Sequence, residues 1–402
     1  MFNLDEFISK YVIKRDDSLF AKDLESHQSK LHEAIYNSKV CVIGGAGSIG
    51  SSFIKELIKY NPSALYVIDI NENALAELVR DIRSNNKLIC PKIFNCYAVS
   101  YYDPIFEKIF LNEKGFDIVA NFSAHKHVRS EKDQYSVEML IENNVLKAKK
   151  LLDLLKKYPP KHFFCVSTDK AANPVNIMGA SKRIMEDLVM SYNSFYKVNT
   201  ARFANVAFSN GSLPASWLVR LQKNQPLVAP MDVKRYFVSP QESGQICLLA
   251  CILGKGGEIF FPKLLQDQMM SFDEICDCLL KKIGKKKVLC SSESEARAYF
   301  DNHDCKSDEY PVFYFNSDTT GEKEAEEFFV EGEKVNLDRF DSLGVVEAKD
   351  CQNANELLAF LSKLKRIFGK DIFTKEDIVS CIKEYLPNFN HEEKGKNLDQ
   401  KM

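Results

Sequence analysis

The sequence predicts a Rossmann-like, doubly wound parallel α/β sheet, with a smaller mixed α/β substrate-binding region and extra N- and C-terminal helices. Three observations predict it. A buried strand, Val40-Cys41-Val42-Ile43, runs into Gly44-Gly45-Ala46-Gly47-Ser48-Ile49-Gly50 and then into a helical pattern carrying Phe53, Leu57 and Ile58. Short apolar runs then alternate with helical spacing as far as Phe203, the pattern of right-handed β-α-β crossovers. After Asn205 the alternation breaks into shorter pieces, which marks a second region.

In chain order, residues 1–38 read as a charged helical extension, with amphipathic spacing of Phe7, Tyr11 and Ile13 and then of Leu24, Leu31 and Ile35. Such helices would pack on the enzyme or on a neighbouring subunit. Residues 39–205 form the NAD-binding part, with strands at Val40-Ile43, Ala64-Ile68, Lys92-Cys96, Asp117-Phe122, Phe163-Val166 and Thr200-Phe203. Residues 206–348 form the substrate-binding region, later segments of which could return to the first sheet. It holds helices near Pro214-Gln222 and Gln241-Leu253, apolar strands at Leu227-Val228, Ile259-Phe261 and Val312-Phe315, and a polar excursion from Lys285 to Tyr310. Residues 349–402 read as two helices, Asn353-Phe368 and Lys375-Tyr385, and a polar tail from His391 expected to be disordered.

Composition narrows the class. A chain of 402 residues with 45% hydrophobic content supports a large core. Lys+Arg 54 against Asp+Glu 56 gives a net charge of -2, which suggests no nucleic-acid or anionic-membrane partner. The 12 cysteines are scattered, several inside apolar strands, and read as reduced thiols of a cytoplasmic protein. No signal peptide and no apolar run near the ~20 residues of a membrane span is visible. No metal site is expected: Cys276 and Cys278 face different ways on a helical pattern, and His125 and His127 lack a third ligand.

The glycine run carries the cofactor reading. Glycine is needed for the tight turn, for approach of backbone to a pyrophosphate, and for packing of helix on strand. The next strand ends at Asp69, placed to accept hydrogen bonds from an adenosine ribose. Ile70 and Asn71 follow rather than an arginine, which favours NAD over NADP, although Arg80 lies further down the next helix. A second run, Ser167-Thr168-Asp169-Lys170 and then Met178-Gly179-Ala180-Ser181-Lys182, places an acid and two amines at a strand's carboxyl end and in the first turns of a helix. Ligands bind at that edge of open α/β sheets.

In these motifs the sequence resembles the nucleotide-sugar 4,6-dehydratases of the extended short-chain dehydrogenase/reductase superfamily, most closely the UDP-N-acetylglucosamine 4,6-dehydratases of bacterial polysaccharide biosynthesis. The resemblance runs from Lys39 to Glu327 and rests also on Ser123-Ala124-His125-Lys126-His127-Val128, Asn144-Val145, Asn173-Pro174, Arg202-Phe203-Ala204-Asn205-Val206, Arg235-Tyr236-Phe237 and Gly321-Glu322-Lys323. It implies a lyase that binds NAD and a nucleotide sugar. Asp169 would be the acid at the C6 oxygen, Lys170 the base at C5, Thr168 a partner of the C4 oxygen, and Lys182 the holder of the nicotinamide ribose. Gly44, Gly47, Ser48, Ile49, Gly50, Asp69, Ser123, Ala124 and Lys126 would line the cofactor, and Lys126, Met178, Asn205 and Arg235 the sugar nucleotide. Met178 stands where the superfamily usually has tyrosine, and methionine-bearing relatives of this subgroup tend to retain C5 configuration. Ala204 replaces a usual glycine, and Thr319 and Thr320 stand where an arginine is often found. A homo-oligomer is expected, because helices flanking such sheets commonly form symmetric interfaces.

Overall fold

A computed structural model describes residues 2–127, 131–302, 308–317, 326–347 and 354–391. Its centre is a nine-stranded sheet. The first six strands are β1 (Lys39–Ile43), β2 (Ala64–Asp69), β3 (Ile93–Ala98), β4 (Ile118–Asn121), β5 (His162–Val166) and β6 (Val198–Ala201). After β7 (Asn205–Val206), β8 (Leu227–Pro230) and β9 (Lys234–Val238), the chain returns to this sheet with β10 (Glu258–Pro262). There follow β11 (Met269–Ser271), β12 (Lys286–Cys290), β13 (Glu309–Phe315), β14 (Val335–Asn336) and β15 (Leu343–Val346). The order across the large sheet is β14-β15-β10-β6-β5-β4-β1-β2-β3. All its pairs are parallel except β10 with β15 and β14 with β15. The winding reverses between β1 and β4, and this switch opens a crevice at their carboxyl ends.

The strands are buried as parallel strands require: Val40, Cys41, Val42, Leu65, Val67, Ile118 and Phe164 are all closed to solvent. Two three-stranded sheets, β11-β9-β7 and β12-β13-β8, make a smaller unit with its own core around Trp217, Leu227, Ile275, Leu279 and Val312. The segment 206–348 thus contributes to both units. Within the polar excursion expected between Lys285 and Tyr310, the described residues form β12, which pairs in parallel with β13, and a helix, Glu293–Asn302, that returns over them. Its polarity belongs to an edge strand, where Lys286 and Lys287 face solvent while Cys290, Ala296 and Tyr299 turn inward.

The N-terminal extension packs on its own chain. Phe7, Ile8 and Val12 lie in the core of the smaller unit, carried by a short helix and a π-helical turn, Ile8–Ile13. Arg15 then forms a two-pronged ion pair with buried Glu242, both contacts at 2.7 Å. Glu242 lies in a capping box with Ser239 at the start of the helix Pro240–Leu253 of the large unit. The helices Ala354–Phe368 and Lys375–Tyr385 bury Leu357, Phe360, Leu364 and Ile378, and the tail expected beyond His391 lies outside the described residues. Among the described residues no helix is long and apolar enough to cross a membrane.

Candidate active site

The glycine loop after β1 closes onto its neighbours so tightly that side chains have no room. Gly44 has φ +69°, and a Cβ there would lie 2.7 Å from the Ser123 nitrogen. At Gly50 a Cβ would fall 2.4 Å from the Gly44 oxygen, so the helix Ser48–Leu57 rests directly on the turn. The space beside Gly47 is free except for the Gly44 oxygen at 3.4 Å. Gly47 caps the helix without a side-chain hydrogen bond, which leaves first-turn N–H groups for an anion. Asp69, at the end of β2, accepts from the Ala46 and Asn71 backbone nitrogens, each at 3.0 Å, and so stands against the same loop. Ile49, Ser123 and Ala124 are half-buried around it. The Asn210 backbone donates to Ser48 Oγ at 2.8 Å, and Lys126 Nζ donates to the Asn210 carbonyl at 2.8 Å. Arg80 is 73% exposed and paired with Glu77. An open glycine face, an uncapped helix start and a carboxylate at the second strand's end together fit NAD.

On the other side of the switch, β5 is followed by Ser167 and Thr168 and then by a single helical turn, Asp169–Ala171. Thr168 Oγ1 donates to Asp169 Oδ1 at 2.7 Å, and Lys170 Nζ donates to the two Asp169 oxygens at 3.2 and 3.3 Å. Asp169 is 2% exposed. The helix Ile177–Met190 abuts this turn, since a Cβ on Gly179 would lie 2.5 Å from the Lys170 oxygen. That close approach places Met178 beside the pair. The Met178 nitrogen donates to Glu131 Oε1 at 2.9 Å, and its carbonyl accepts from Ser181 Oγ at 2.7 Å. One turn on, Lys182 donates to the Val166 carbonyl at 3.0 Å and is almost wholly buried; that burial lowers its pKa. Asn144 sits in a π-helical turn, Glu142–Leu146, and its amide holds both backbone groups of His125 and the Ser181 hydroxyl. It thereby fixes the loop after β4 to the Met178 helix.

Asn205 and Arg235, expected at the sugar nucleotide, come together through a residue to which the sequence reading assigned no role. Glu326, with a side chain 1% exposed, accepts from the Tyr236 backbone nitrogen at 2.8 Å and from Asn205 Nδ2 at 3.3 Å, and Arg235 Nε lies 3.8 Å away. Burial, and then the charge of Asp169, push its carboxyl up to about 8. Glu327 beside it accepts from Asn173 Nδ2 at 2.6 Å. In the sequence this acid is one of an acidic cluster, Glu322 to Glu327, that reads as a solvated face. Glu131 is equally silent, since it belongs to no spacing that announces chemistry, while Asn144 stands in a motif of the resemblance to which no role was assigned. Below the strand end, Arg202 is closed to solvent and pairs with Glu186 at 2.7 Å and Glu333 at 2.9 Å; Ser167 Oγ donates to Glu186 at 2.6 Å. Gly321-Glu322-Lys323, Thr319 and Thr320 lie outside the described residues.

Residues 40–347 match the model of a family described as polysaccharide biosynthesis protein. A Methanocaldococcus jannaschii protein named as an uncharacterized membrane protein is 29% identical over 84% of this chain and 94% of its own length. A Campylobacter jejuni UDP-N-acetylglucosamine 4,6-dehydratase (inverting) is 25% identical over 57% of this chain and 68% of its own. The capsular polysaccharide biosynthesis protein CapD of Staphylococcus aureus is 29% identical over 68% of this chain, which spans only 46% of it. In fold the chain is similar to DesIV, a dTDP-glucose 4,6-dehydratase of Streptomyces venezuelae solved with NAD bound: TM-score 0.53, 17% identity, 70% of this chain and 88% of that one.

Proposed function

We propose, for a chain that belongs to the polysaccharide biosynthesis protein family within the extended short-chain dehydrogenase/reductase superfamily, that it is an NAD-dependent UDP-N-acetylglucosamine 4,6-dehydratase acting with retention at C5. The observation that carries this reading is the hydrogen-bonded series Thr168, Asp169, Lys170 at the carboxyl end of β5. NAD, when bound, would remove the C4 hydrogen as hydride and restore it at C6. Gly44, Gly47 and Gly50 would seat its pyrophosphate, Asp69 its adenosine ribose and Lys182 its nicotinamide ribose.

The protein's own residues supply the proton transfers. Asp169 accepts from both Thr168 and Lys170, which is the bonding pattern of a carboxylate. A C4 hydroxyl bonded to Thr168 would pass its proton through that hydroxyl to Asp169, which then carries the proton needed by the departing C6 oxygen. Lys170, whose side chain is 23% exposed, takes the C5 proton as an amine. The same amine returns a proton to C5 from the same face, which gives retention. Met178 has no proton to deliver from another direction. At the end of the cycle Asp169 is a carboxylate again, and one water has left.

A proton NMR time course with UDP-N-acetylglucosamine in heavy water tests this. A C6 methyl signal with deuterium at C5 and unchanged ring couplings is the expected result. Altered couplings would mean inversion, as in the name of the Campylobacter relative. An unchanged spectrum, with NAD added and other nucleotide sugars tried, would overturn the dehydratase reading.

A further inference from the structure

We propose that Glu326 is a positioning residue of the reaction centre: it ties Asn205 to β9 within the field of the Asp169–Lys170 pair, and by carrying a proton itself it leaves Asp169 as the ionised member of two buried carboxyls. The inference rests on the dehydratase reading for its catalytic consequence but not for its charge arrangement.

The geometry decides which carboxyl keeps the charge. Asp169 and Glu326 are both buried, and their charges act on each other, so ionising both is costly. Asp169 holds the better donors, a hydroxyl at 2.7 Å and an ammonium at 3.2 Å. Glu326 has one backbone N–H at 2.8 Å, a side-chain amide at 3.3 Å and a guanidinium only at 3.8 Å. Among the described residues, the charged groups facing Glu326 are Asp169 and Lys170 from the turn after β5 and Arg235 from β9, with the Tyr236 backbone beside them. Charge therefore settles on Asp169 and the proton on Glu326.

Two consequences follow for the reaction. An ionised Asp169 is ready to receive the C4 hydroxyl proton. Meanwhile Asn205 and Arg235, the residues expected at the sugar nucleotide, lie against a group whose charge changes near pH 8. When Glu326 ionises, a second buried negative charge would stand against Asp169 and compete with it for Lys170, which would disturb the pair on which the reaction depends.

The test combines infrared spectroscopy with kinetics on the full chain carrying NAD. A carboxylic-acid C=O band should be present near neutral pH, vanish as pH rises through about 8, and be missing in Glu326→Gln. In Asp169→Asn, with the neighbouring charge gone, the same band should vanish at lower pH. In kinetics with UDP-N-acetylglucosamine, Glu326→Ala should lower kcat/KM by roughly 10–100-fold, and Glu326→Gln should recover part of that loss while its alkaline limb moves away from pH 8. A missing band, or one unmoved in Asp169→Asn, overturns the proposal whatever the turnover. A band that behaves as stated in a protein without turnover overturns the dehydratase reading alone. Equal alkaline limbs in wild type and Glu326→Gln would remove the catalytic role and leave only a structural one.

Discussion

Around Gly44 to Gly50 the crevice is lined by main chain from one continuous stretch, whereas around Asp169 it is lined by side chains from segments as far apart as Glu131 and Glu326. A dinucleotide needs approach of backbone and a helix start, and both come from a local pattern of glycines. Proton transfer needs carboxyls and amines in a dry place with their charges balanced, and that balance is assembled only on folding. One half is therefore written compactly, and the other is distributed.

The sharpest way to break this contrast is Lys170→Ala. Loss of the C5 base should lower kcat by about 10²–10⁴-fold while NAD affinity stays as it was; normal elimination by the variant would show that the side-chain half is not where the chemistry occurs. Arg202→Met comes next, because it leaves buried Glu186 and Glu333 with Arg183 alone, at 3.8 and 3.2 Å, in place of two cations. A loss of about 3–5 kcal/mol in chemical denaturation is expected, and a neutral result would mean that the strand end beneath Ser167 does not depend on this network.

Smaller is the pH dependence of stability through Glu326. Its carboxyl is raised from 4.5 to about 8, so the folded protein keeps a proton that the unfolded chain releases. The stability so gained is full below about pH 4.5 and is lost as pH climbs through about 8. Glu326→Gln lacks that loss, and over this window it should gain on wild type by on the order of a few kcal/mol; parallel stability curves would show that the carboxyl is not raised. The smallest effect belongs to the backbone half. Asp69→Ala should weaken NAD binding by about tenfold in calorimetry, since the glycine cradle remains, and a loss as large as that of Lys170→Ala in turnover would place more of the binding in side chains than the loop suggests.

The same contrast explains what could be read from the sequence. The alternation of β1 to β6, the glycine loop and the pairing of Asp169 with Lys170 are local patterns, visible because β1, β2, β4, β5 and β6 are buried along their length and the other features sit at a fixed offset from a strand end. β12 and the helix Glu293–Asn302 were hidden because an edge strand and its covering helix keep polar outer faces. Glu326 was hidden because nothing near it in the chain distinguishes a buried acid from a solvated one; its burial is created by β9 and Asn205.

Position 178 has a wider meaning. Its N–H is held by Glu131, its carbonyl by Ser181, and the next residue is pressed against Lys170. The frame is thus fixed by main-chain contacts that do not involve the side chain at all. That makes position 178 a socket: its side chain can be exchanged without redesigning the frame that holds it.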